Sequence, residues 1–239
     1  MRAERIEMGM GSSEPQFHGF TKDTIRFFEE LAGNNTTTWF ASNKERYTHQ
    51  VMKELRELAW DLQPVLMAID PRLETRPDKA ISRIYRDMRF SHDKTPYKTS
   101  LWITYKRPTP TWQDDPAFFF ELSGSSYRYG MGFYSATRTT MDLFRERIEK
   151  NPGIFRCTFH TIPDEGSFVI EGDMYKKRIP NNLPEEFQVW YQRKNIYLVC
   201  NRKIDDDLFS GHIFFTLQEG FERLAPFYYF LWGLKEGSH

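Results

Sequence analysis

Three consecutive phenylalanines constrain this fold more than any other part of the chain. They lie in Phe118-Phe119-Phe120-Glu121-Leu122, which is followed by Gly124-Ser125 and a second β-rich run from Tyr127 to Tyr134. Two β-forming runs around a short Gly-containing turn specify a hairpin. Successive strand side chains point to opposite faces, so the aromatic run places rings on both. The hairpin is therefore expected to be buried on both faces of a sheet. Phe is unusually frequent at 21 of 239 residues, and so many rings call for a core of sheet and helix together.

The sequence around the hairpin sets the fold class. Thr21 caps a first helix, with Phe20 and Ile25 placed as a hydrophobic staple, and Gly33 stops it. After the polar turn 34–37, Phe40, Tyr47, Val51, Leu55, Leu58, Leu62, Val65 and Ile69 recur at helical spacing. Pro64 is expected to kink or split that helix, and the two helical segments to pack as a hairpin. Residues 80–87 fit a strand better than a helix. Further strands are expected at 101–105, 155–160, 168–171 and 196–201. Thr137 or Thr140 caps a helix through Ile148, and Pro184 opens a short one. Asp205–Asp207 suit the start of a last helix with the stripe Phe214, Leu217, Phe221 and Leu224, which Pro226 is expected to break. With no internal repeat or linker, this order predicts one α+β domain over 17–235. It has an N-terminal helical hairpin, a central, largely antiparallel sheet and a C-terminal helix. Residues 1–16 read as a disordered leader.

Bulk composition narrows the function classes. A chain of this length should bury roughly 70–75% of its unfolded surface. Zero net charge argues against a general nucleic-acid coater. No apolar run approaches the roughly 20 residues that span a bilayer, and no secretory signal opens the chain, so the default location is cytoplasmic. Cys157 and Cys200 sit in apolar runs and are expected as buried free thiols. The six histidines are scattered without zinc-ligand spacing. No metal or cofactor is assigned. Gly130-Met131-Gly132 is too short to cradle a phosphate and reads as a bulge or close backbone approach in a strand.

Charge is concentrated in one place. From Arg76 to Arg107 there are nine Lys/Arg and three Asp. Arg83, Arg86 and Arg89 offer planar forks suited to phosphate or carboxylate, Lys94 and Lys98 add point charges, and Tyr85 and Tyr97 could orient a ligand. Such a loop can present several donors to one anion. The competing reading is an internally paired loop in which Asp87 and Asp93 engage the cations. The leading expectation is an anion-binding cleft on loop 83–99 for a phosphate- or carboxylate-bearing small molecule. One alternative is an enzyme on a phosphorylated or nucleotide-like ligand, with Asp87 or Asp93 positioning a metal or water and His92 a weaker base candidate. Another is an interaction module for an acidic partner or RNA. Trp39, Asn43, Lys44 and Tyr47 form a second constellation that either anchors a helix start or walls the same cleft.

Together these pieces resemble DUF2461, a family of bacterial, fungal and plant proteins. The resemblance rests on Phe20, on Asn34-Asn35…Trp39-Phe40…Asn43-Lys44…Tyr47, and above all on Arg83-Ile84-Tyr85-Arg86-Asp87…Arg89-Phe90-Ser91…Asp93-Lys94-Thr95-Pro96-Tyr97-Lys98-Thr99. It continues through Gly130-Met131-Gly132-Phe133-Tyr134 and covers about 17–234. It implies a common fold and a shared site around the basic loop, and supplies no activity. Met131 interrupts a run of glycines in the family pattern, and would narrow a cleft that included that strand. Lys177–Pro184 matches only loosely.

Overall fold

The computed structural model describes residues 15–87, 89, 93–159, 162 and 168–236. Thr21 accepts a hydrogen bond from the Thr24 amide and caps α1 (Lys22–Gly33). The following helical pattern is not one rod. It runs through α2 (Thr37–Ser42), the single turn α3 (Lys44–Arg46) and a π-helical turn at Tyr47–Val51, which packs on α1. It continues as α4 (Met52–Asp61) and α5 (Gln63–Ile69), divided just before Pro64 as expected. The short helix α6 (Pro77–Ala80) follows.

The sheet has five strands in the order β1-β2-β3-β5-β4, with every neighbouring pair antiparallel. These are β1 (Ser100–Tyr105), β2 (Pro116–Ser123), β3 (Ser126–Phe133), β4 (Val169–Glu171) and β5 (Tyr197–Lys203). Residues 81–87 form neither a full strand nor a helix, and pair only at the bridges Ile81 to Ile103 and Tyr85 to Tyr97.

Alternation sorts the strands into two faces. Leu101, Ile103, Tyr105, Phe118, Phe120, Leu122, Tyr127, Tyr129 and Met131 join the core. Across this face lies the last helix, whose Phe221 ring sits 5.3 Å from Phe118. The opposite face presents Trp102, Thr104, Ala117, Phe119, Arg128, Gly130, Gly132 and Tyr197.

Two helices complete the core beside the sheet, α7 (Arg138–Lys150) and α8 (Pro152–Phe159). The second corrects the strand expected at 155–160, of which His160 lies outside the described residues. Phe155 and Phe159, four apart, are both buried, whereas Ile154, Arg156, Cys157 and Thr158 are exposed. That is helical periodicity, and Pro152 opens the helix at its favoured first position. Cys157 is consequently an exposed free thiol, while Cys200 is buried as expected.

A turn of α9 (Gln188–Tyr191) precedes β5. Asp205 caps a 3₁₀ turn at Asp206–Phe209, so the acidic run lies one turn ahead of the final helix, α10 (His212–Glu236). Pro226 does not break α10. An interior proline costs about 3 kcal/mol. Beyond it Phe227, Tyr228 and Leu231 are fully buried, at about 1.5–3 kcal/mol each, so packing outweighs the missing hydrogen bond. No described helix is long and apolar enough to cross a membrane.

Candidate functional site

The basic loop is braced from below and from within. The Asn35 amide donates to the Tyr97 carbonyl at 2.9 Å and accepts from the Tyr97 amide at 3.0 Å, acting as a one-residue strand partner. Tyr97 is buried and stacks on Phe40 at 4.1 Å, with exposed Tyr85 against it at 5.5 Å. The backbone bonds Arg86 N to Pro96 O and Lys98 N to Ile84 O close the two arms. Trp39 and Tyr47 pack on Phe27, the Asn43 amide donates to the Trp39 carbonyl, and Lys44 is exposed. This second constellation supports the loop as part of the helical corner beneath it.

Several loop charges meet one another. Arg89 forks onto Asp87, with Nη2 to Oδ2 at 2.7 Å, and this pairing holds the Asp87 carboxyl at about 2. Asp93 accepts from the Thr95 amide and hydroxyl, and then from Arg86 at 3.0 Å. These contacts keep the Asp93 carboxyl below its usual range. Arg86 also reaches the Tyr97 carbonyl, yet its buried Nε has no hydrogen-bond partner among the described residues. Arg83 and Lys94 are exposed, and His92 lies outside the described residues.

Lys98 faces elsewhere. It lines a cavity of about 600 Å³ on the sheet face opposite α10. Trp102, Thr104, Ala117, Phe119 and Gly132 form its floor. Lys79–Ser82 and Lys98 form one wall, and Trp112, Tyr134 and Tyr197 another. The hollow follows from sequence. Gly130 and Gly132 put no side chain on this face, so β3 is a trough beside Phe119. Both glycines are also required by close approach, since a Cβ at Gly130 would be driven into the Leu198 carbonyl and one at Gly132 into Tyr197. Met131 does not narrow this cavity. It is fully buried on the other face with the core.

The cavity's electrostatics are one-sided. Arg128 stacks over Trp102 and is neutralised by Glu121 at 2.6 Å and Glu171 at 3.5 Å. Lys106 sits over the Trp112 ring at 3.1 Å, and burial lowers its ammonium's pKa. Lys98 is half-buried and forms no ion pair with the described residues. Desolvation, reinforced by the neighbouring Arg86 charge, lowers its pKa. Exposed Lys79 also lines the cavity, and its charge meets the Glu74 carboxylate. Uncompensated cations over an aromatic floor can hold an anion on a flat apolar body. Among the described residues no group of three or more His, Cys, Asp or Glu is placed to hold a metal.

Of the candidate site residues named from the sequence, Lys98 alone lines this cavity, beside Gly132, Phe133 and Tyr134 of the glycine-containing strand. Arg83, Arg86, Arg89, Lys94, Tyr85 and Tyr97 belong to the braced loop. Sequence reasoning missed Trp102, Lys106 and Trp112 as cavity residues, and noted Phe119 and Tyr134 without assigning them to a site. A signal was present in β1, where Trp102 and Thr104 alternate with the core residues Leu101, Ile103 and Tyr105.

No curated protein matches the sequence. One family model, described as a conserved hypothetical protein (DUF2461), matches residues 23–230 and so takes in the helical corner, the basic loop and the whole sheet. The chain belongs to the DUF2461 family.

Proposed function

We propose that the protein binds a small anionic molecule, carrying a phosphate or carboxylate on a flat apolar body, in the sheet-face cavity. The observation that carries this reading is Lys98, a desolvated ammonium without a carboxylate partner among the described residues, at the edge of an aromatic floor. An uncompensated charge is costly to desolvate, and a bound anion would remove that cost. The basic loop sets the place of Lys98 through its braced arms, and the anion is held at the sheet, not by the arginine run itself. No catalytic step is assigned, because Asp87 and Asp93 are both engaged within the loop. Calorimetric titration with aryl phosphates and aryl carboxylates, beside their uncharged parent rings, tests the reading. The charged compounds bind and the parents do not. Equal binding of the two sets would reduce the cavity to an apolar hollow.

A further inference from the structure

The cavity has cations at two places, and their spacing says something about the ligand. Lys98 precedes the first residue of β1 by two positions, and Lys106 follows the last by one. At about 3.3 Å of rise per strand residue, the six residues of β1 between them set the two lysines at opposite ends of the strand. Between them the floor is apolar, with Trp102 and Phe119 in contact at 5.2 Å. Arg86, itself paired with Asp93, lies close enough to Lys98 to disfavour its charge. At the other end Lys79 and Lys106 line the same cavity, beside Trp112. Glu74, whose backbone bridges Lys106, is bound by Arg76 with Nε to Oε1 at 2.9 Å and also meets the Lys79 charge. The one guanidinium over the middle, Arg128, is already matched by Glu121 and Glu171. Lys98 and Lys106 thus form no ion pair with the described residues at the two ends, whereas the guanidinium over the centre is paired.

Resting on the anion-binding reading, we propose that the natural ligand is two-headed. It has an anionic group at each end of a flat, apolar middle, one head at Lys98 and the other at Lys106. A single-headed anion satisfies one pole and leaves the other desolvated.

The test uses the full chain and two probes, biphenyl monocarboxylate and biphenyl dicarboxylate, measured by titration calorimetry. The dicarboxylate binds about tenfold tighter, the value of one additional charge-assisted contact. Lys98→Met and Lys106→Met each reduce that advantage to about twofold. Methionine keeps an unbranched apolar stem, and a single cooperative thermal melting transition checks that each variant folds. Equal affinity for the two probes, with both binding, overturns the two-headed ligand and leaves the anion site standing. An advantage that survives both substitutions overturns it as well. Binding of neither probe overturns both readings.

Discussion

At Lys98 two effects act in one direction, because burial and the Arg86 charge both disfavour the ammonium. A lysine whose folded pKa lies below its ordinary value of about 10.4 penalises the folded state at every pH under that depressed value. The penalty fades as pH rises between the two. Lys98→Met should therefore raise the stability of the ligand-free protein at neutral pH, with a gain that shrinks in alkali. Urea denaturation at two pH values checks this, and a loss of stability at neutral pH would contradict it. Asp70 has the opposite sign. Burial pushes its carboxyl up, but hydrogen bonds from Tyr228, Arg72 and Arg107 outweigh that and hold it low. Its contribution is full above the unfolded value of about 3.9 and is lost as pH falls through the folded one. Tyr228→Phe should cost about 1.5–3 kcal/mol and move acid unfolding to higher pH, read by circular dichroism. Much of the arginine run was open to misreading because acids two residues upstream capture arginines. Asp70 with Arg72, Glu74 with Arg76 and Asp87 with Arg89 share one geometry, in which a carboxylate oxygen accepts from both the backbone amide and Nε. That spacing is visible in the sequence, and counting charge alone overlooks it.

At the scale of elements, periodicity carried the hairpin, α1, α7 and β5, and the corrections came where two periods overlap. Phe155, Cys157 and Phe159 satisfy a strand's alternation, yet Phe155 and Phe159 also sit one helical turn apart. Three-dimensional packing decided, since Phe155 meets Phe144, Trp190 and Phe230. The expected burial of the aromatic run on both faces is met at Phe119, which is 9% exposed. What lies over that face is a rim of rings and a short helix, and sequence patterning does not distinguish such a rim from a packed layer. The glycines of β3 were legible as a close approach. Gly130→Ala should destabilise the protein by about 2–4 kcal/mol by forcing β3 and β5 apart, measured by urea denaturation. A neutral substitution would contradict the close-approach account of the trough.

For the whole molecule, the α+β class, the antiparallel sheet and the closing helix were readable because helical and strand patterns occupy separate stretches of the chain. The site was readable only as a neighbourhood. One sheet face is committed to the core through α10, and the other is left as a hollow whose rim draws Lys79, Lys98 and Lys106 from the most basic part of the chain. The long separation between Lys98 and Tyr134 in sequence, closed by strand pairing, is why no local motif announces the cavity. The central claim is that this hollow holds an anion through Lys98. Calorimetric titration of naphthalene sulfonate, a permanently charged flat ring, into the wild type and Lys98→Met at neutral pH tests it most directly. The account predicts saturable binding to the wild type and a loss of about tenfold or more in the variant. Equal affinity in the two proteins, or no binding to the wild type, would contradict it.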